Sequence, residues 1–142
     1  MPEDQKKTYI GVKRIEAYPE DRDGKPGYAV IYPDGYKSWS PRAVFEAAYF
    51  PLKDGRFIQD DDIQAFIDAS KVDIQVNPGQ VMAKVIYPTG FADAEATASS
   101  DVERFDERIA AVGCMHEIKE RLWTCMLFVM DWATDGLKAK EE

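Results

Sequence analysis

The stretch VIYPDGYKSWSPRAVFEAAY, residues 30–49, decides the fold. Val30 and Ile31 close a β-branched strand. Tyr32-Pro33-Asp34-Gly35 then turns the chain, because Pro33 presets φ for the first corner and Gly35 accepts the left-handed position after it. Tyr36 to Trp39 reads as the return strand. Ser40 is placed to cap a helix and Pro41 to stand at its first position. Val44, Phe45, Ala48 and Tyr49 follow at helical spacing. Strand, turn, strand, cap and helix thus fit into twenty residues.

Working outward, Thr8 to Tyr18 reads as a strand, with Gly11 as a bulge or close approach. Residues 1–7 read as a loose polar end. PEDRDGKPG, residues 19–27, is a loop by every breaker signal. Asp60, Asp61 and Asp62 precede Ile63, Phe66 and Ile67. Acids there favour the positive end of a helix dipole over a metal cage. Val72, Ile74 and Val76 alternate with polar residues, as in a half-buried strand. Asn77-Pro78-Gly79 turns the chain into a strand from Val81 to Tyr87. Residues 85–91, VIYPTGF, echo residues 30–36, VIYPDGY. The flanking residues do not match, so the echo is one hairpin chemistry used twice rather than a repeat architecture. Ala92 to Ala98 returns.

Ser99-Ser100-Asp101 reads as the cap of a long helix from about Val102 to Thr134. Phe105, Ile109, Val112, Met115, Ile118, Leu122, Cys125, Val129 and Trp132 step by three or four, which predicts its buried stripe. From Leu122 onward, Trp123, Met126, Leu127, Phe128 and Met130 add apolar faces all round. Such a helix needs a second surface, and a partner subunit is the expected supplier, through Leu122, Trp123, Met126, Leu127 and Met130. Gly136 stops the helix before a solvated KAKEE tail. The expected class is α+β. An antiparallel sheet (strands near 8–18, 27–32, 36–39, 71–76, 80–87 and 91–97) packs on the long helix, with short helices near 41–49 and 60–69.

Length and composition predict one domain, residues 1–142, mainly β over 8–98 and helical over 101–135. The polar start, MPEDQKKTY, predicts no signal peptide. The longest apolar run, Cys125 to Met130, is too short for a membrane span, so no membrane partner is expected. Two cysteines give no disulfide framework and point to a reducing cytoplasm. The net charge of −8 argues against general DNA or RNA binding. Residues 1–56 nonetheless carry 10 basic against 9 acidic side chains, whereas 57–100 carry 2 against 7. An anionic ligand would need a local basic pocket.

The sequence offers no catalytic constellation. His116 is the sole histidine and sits on the long helix. Cys114 and Cys125 lie eleven residues apart on that helix, about three turns, too far to share one metal. No P-loop, GxGxxG or GxSxG occurs, and no cofactor is expected. Ligand binding is better supported. Tyr36, Trp39 and Phe91 stand at turns or element ends, where aromatic faces can stack bases, with core packing as the alternative. Phe91 is the chosen base-stacking residue. Arg104 would begin the long helix, where free N–H groups favour an anion. Lys119 and Arg121 are the last basic residues before the apolar end. Arg56 and Lys25, on glycine-containing loops, are weaker candidates for closing over a pyrophosphate.

The hairpin block resembles that of the Thoeris anti-defence sponge family of bacteriophage proteins. The matching residues are Tyr9-Ile10-Gly11, Gly27-Tyr28, Tyr32-Pro33-Asp34-Gly35-Tyr36, Ser38-Trp39-Ser40-Pro41, Val44-Phe45-Glu46 and Ala48-Tyr49. Farther on, Gly90-Phe91, Phe105-Asp106, Cys114, Ile118-Lys119 and Leu122-Trp123 match in order and spacing. Arg104 stands where the family often has asparagine. The resemblance implies a host-cytoplasmic sponge that binds cyclic ADP-ribose variants made by TIR proteins of Thoeris defence without cutting them. Some members also hold cyclic trinucleotides of CBASS defence at separate sites in a hexamer, so the resemblance raises a hexamer above the dimer that the apolar helix predicts for this homo-oligomer. The competing expectation is a phage regulatory module that binds a host protein through the apolar helix.

Overall fold

The Tyr32–Tyr36 corner sets the first sheet. In the computed structural model, which describes residues 3–140, the Gly35 N–H donates to the Tyr32 carbonyl at 2.8 Å and the Tyr32 N–H to the Tyr36 carbonyl at 2.9 Å. Gly35 sits at φ +90°, which a residue without Cβ adopts freely. Asp34 Oδ1 accepts the Tyr36 N–H at 2.9 Å and holds the corner. The turn therefore pairs β2 (Gly27–Ile31) antiparallel with β3 (Lys37–Pro41), and β1 (Glu16–Pro19) lies on the other side of β2. The expected strand at 8–18 shrinks to β1. Tyr9 and Ile10 are 85% and 84% exposed, and residues 6–15 form no ladder. A β-branched pattern alone does not make a strand without a neighbour to accept its hydrogen bonds. Residues 1–2 of the expected polar start and 141–142 of the expected tail lie outside the described residues.

The helix α1 (Arg42–Ala48) follows without a linker. Ser40 does not cap it. Ser40 is still in the ladder, opposite Tyr28, one residue too early, and Pro41 takes the N-cap position with no side-chain bond. The face formed by Tyr28 and Val30 meets α1: Phe45 stacks on Tyr28 with ring centroids 4.1 Å apart, and Tyr49 lies 5.0 Å from Phe45. On the other face Trp39 stands opposite Ala29 and covers Gly27.

The described chain forms two compact units, residues 3–51 with 128–140, and residues 52–127. The class is α+β and both sheets are antiparallel. The strands divide between two three-stranded sheets instead of joining one. In the second unit α2 (Asp60–Asp68) opens on a reciprocal cap between Gln59 and Asp62. Asp62 is 2% exposed and accepts the N–H groups of Gln59 and Lys53, both at 2.8 Å. Asp61 pairs with Lys53. The three acids thus serve the helix start. Ile63 and Ile67 are the buried side of α2.

The strands β4 (Lys71–Asn77), β5 (Gln80–Ile86) and β6 (Ala92–Ala98) form a meander with β5 in the middle. Val81, Ala83 and Val85 are fully buried. β4 departs from expectation, because every position along it is exposed despite its clean alternation. The echo between residues 30–36 and 85–91 also extends further than the turn. Both copies join the central strand of a three-stranded meander to its third strand, and a helix follows each meander.

α3 spans Glu107–Asp135. It begins later than its apolar pattern suggests. Asp106 is the cap, its Oδ1 accepting the N–H groups of Arg108 at 2.9 Å and Ile109 at 3.1 Å. Ser99 and Asp101 instead hold the turn before it, bonding the N–H groups of Asp101 and Arg104. The buried line is Ala110, Cys114, Ile118 and Leu122, one residue in four. Ile109 and Val112, placed in the expected stripe, are 71% and 70% exposed. The small Ala110 and Cys114 belong to this buried line, and Cys114 Sγ lies 3.4 Å from Thr97 Oγ1. Leu122 is buried in this line, so it is not available to an interface. Gly136, at φ +70°, ends the helix with its N–H on the Trp132 carbonyl at 2.9 Å.

Candidate functional site

The second hairpin turn builds the most exposed fixed aromatic in this unit. Gly90 N–H donates to the Tyr87 carbonyl at 2.8 Å, and Tyr87 N–H to the Phe91 carbonyl at 2.9 Å. Thr89 Oγ1 accepts the Phe91 N–H at 3.2 Å, in the role Asp34 has in the first turn. The rings of Tyr87 and Phe91 are parallel to within 9°, with centroids 6.5 Å apart. Tyr87 is buried, with Phe66 of α2 at 5.7 Å. Burial, and then the Asp93 charge, push its phenol pKa upward. Phe91 is 68% exposed. A buried ring thus anchors the turn while its partner offers a π-face to solvent, the geometry a base can stack on.

Arg121 is not free to serve an anion. Its Nε donates to Asp93 Oδ2 and its Nη1 to Glu95 Oε2, both at 2.8 Å, and its Nη2 to the Ala94 carbonyl at 3.2 Å. Asp93 and Glu95 point to the helix side of β6, opposite Val85 and Ala83 in register. The two carboxylates push the guanidinium pKa upward. Lys119 is half-buried on the same helix. Arg104 does not begin α3. It lies in the preceding turn, exposed, with Asp101 at 3.6 Å. An open recess of about 530 Å³ is lined by Glu103, Arg104, Phe105, Asp106, Glu107 and Arg108. The Asp106 carboxylate already occupies the helix N–H groups there, so an incoming anion would compete with the cap. Arg56 pairs with Asp54 at 3.0 Å and lies 5.6 Å from the Phe57 ring.

Lys25 belongs to the first unit. Its backbone closes a tight loop with Arg22, and it borders an open recess of about 610 Å³ with Pro26, Pro41, Arg42, Ala43 and Glu46. Of the five charged candidates, Lys119 and Lys25 have no carboxylate partner among the ion pairs of the described residues, whereas Arg56 and Arg104 each have one and Arg121 has two. Tyr36 repeats the Phe91 arrangement, exposed beside Tyr32 with centroids 5.9 Å apart. Trp39 is structural, its indole N–H donating to the Glu20 carbonyl at 2.6 Å.

Sequence reasoning missed the Arg121 clamp, although alternating acids within an alanine-rich strand signal it. His116 is exposed, with Glu120 at 3.9 Å. Among the described residues no cluster of His, Cys, Asp or Glu is arranged to hold a metal ion. No helix among them is long and apolar enough to cross a membrane. The chain matches no family model, no curated protein and no solved structure.

Proposed function

We propose that the chain binds a cyclic nucleotide immune signal of the cyclic ADP-ribose class and sequesters it uncut in the host cytoplasm. CBASS cyclic trinucleotides are a further ligand class of the same reading. The observation that carries it is Phe91: a solvent-facing ring, locked by a hydrogen-bonded turn and a parallel buried tyrosine. The resemblance to anti-defence sponges supports the same reading, since Gly90-Phe91 is one of its matching pairs. Of the candidate cations, Lys119 and Lys25 make no ion pair among the described residues, and they lie in separate units.

The working form is a homo-oligomer, dimer or hexamer. Trp123, Met126 and Met130 are half-buried, and Leu127 is 48% exposed, so apolar surface remains on α3. The same surface supports the second reading, a phage module that binds a host protein through this helix. One experiment separates them. The protein is mixed with a panel of cyclic nucleotides, freed of excess, denatured by heat, and the released material identified by mass spectrometry. Intact nucleotide recovered in stoichiometric amount supports sequestration. No retained nucleotide rejects it in favour of the interaction module, and altered nucleotide rejects it in favour of an enzyme.

A further inference from the structure

A sheet edge leaves backbone N–H and C=O groups unpaired, and folds blunt such edges with charge, proline or a covering side chain. The two edges of the second sheet are treated differently. At β6, Arg121 donates to the Ala94 carbonyl while holding Asp93 and Glu95 on either side. β4 has no such clamp among the described residues. Asn77 and Gln80 face each other across the two-residue Pro78-Gly79 turn, so they form a hydrogen-bonded pair. Alternation along the ladder then turns the backbone groups of Val72, Ile74 and Val76 outward.

The same three residues carry the apolar face. They stand opposite Val85, Ala83 and Val81, which are fully buried, yet are themselves 44%, 43% and 49% exposed. The free edge and the open apolar row therefore coincide, on a strand seven residues long.

We infer that β4 pairs antiparallel with β4 of a second copy of this chain, about a two-fold axis at Ile74, joining two three-stranded sheets into one. The strand is complementary to itself in that register. Ile74 meets the partner's Ile74, and Val72 meets the partner's Val76, so all three outward backbone positions find hydrogen-bond partners. On the other face Asp73 meets the partner's Gln75 and Lys71 meets the partner's Asn77. No like charges oppose, and each carboxylate faces an amide donor. Neighbouring registers are worse. Centring on Asp73 sets carboxylate against carboxylate. Centring on Gln75 sets Val72 against the partner's Pro78, which has no N–H to give. The contact forms whether or not a ligand is bound.

Cysteine placement tests the register directly. In an antiparallel ladder the non-hydrogen-bonded pair brings Cα atoms to about 4.5 Å, within reach of a disulfide. Asp73→Cys and Gln75→Cys chains, each also carrying Cys125→Ser, are prepared alone and co-expressed, then oxidised with diamide. The co-expressed chains are expected to form a disulfide-linked pair containing one of each, and neither chain alone is expected to link. Linkage of either chain to itself at the same yield, or no linkage in the mixture, overturns the inference. In parallel, Ile74→Lys with an unchanged circular dichroism spectrum is expected to lower the mass measured by light scattering. Retention of the parental mass overturns the inference. Because Asp73 and Gln75 are exposed, the cysteine pair decides the question if Ile74→Lys does not fold.

Discussion

Gly27 and Trp39 share one space: a Cβ at Gly27 would lie 2.3 Å from Trp39 Cζ2 and 2.6 Å from the Ser40 carbonyl oxygen. The indole cannot retreat cheaply, because its N–H is held by the Glu20 carbonyl at 2.6 Å. Gly27→Ala is therefore expected to cost about 1–3 kcal/mol by overpacking. Urea denaturation checks it, and an unchanged midpoint would show that the ring can shift aside.

The buried line of α3 predicts a contrast between two apolar residues that periodicity groups together. Ile118 is fully buried and Val112 is 70% exposed. Ile118→Ala should cost about 2–5 kcal/mol through lost burial and the cavity left behind. Val112→Ala should stay within about 0.5 kcal/mol of the parent. Denaturant midpoints compare them directly, and equal losses would restore the stripe read from periodicity.

Arg121→Ala should lower stability by roughly 1 kcal/mol, because the clamp is partly exposed and solvent screens it. It should also leave the β6 edge open. Thermal unfolding of the full chain checks the first point. A variant that loses ligand binding at unchanged stability would return Arg121 to the site and deny it the structural role.

What could be read from the sequence was local. Both YPxG turns, the acidic start of α2 and the glycine stop of α3 follow from side chains acting on nearby backbone, so their chemistry is written in a few consecutive residues. What could not be read depends on neighbours. Residues 8–15 look like a strand but find no ladder. Ile109 and Val112 look like core, but the face that α3 buries is that of Ala110, Cys114, Ile118 and Leu122. Phe91 was legible as an exposed ring because it follows a turn. The partners of Arg121 were not, because Asp93 and Glu95 meet it only after β6 pairs with β5.

Three phenols are expected to titrate late. The hydrogen bond to Glu46 raises the Tyr28 pKa, burial raises that of Tyr49, and burial together with Asp93 raises that of Tyr87. Their neutral forms are favoured in the folded state. The stability they contribute is thus complete below the ordinary tyrosine pKa of 10.0 and lost as pH rises through the higher folded values. Part of the phenolate absorbance should appear above the ordinary value, and that part should diminish in Tyr28→Phe. Absence of any such late absorbance would contradict this.

Phe91→Ala should weaken ligand binding by about 5- to 150-fold, corresponding to roughly 1–3 kcal/mol of base stacking. Stability should remain within about 0.5 kcal/mol, because the ring is largely in solvent. Phe91→Tyr should retain affinity. Calorimetric titration with the nucleotide recovered by heat release provides the test, and parental affinity in the alanine variant would move the pocket elsewhere.

The duplicated turn also bears on how the chain finds its fold. In each unit a proline-started corner with its own hydrogen bonds joins strands adjacent in sequence, so little chain entropy is lost before the first contacts form. Such hairpins close in about 1–10 μs. The chain thus carries two independent starting points for folding, one at Gly35 and one at Gly90, and a delay at either corner leaves the other free to proceed.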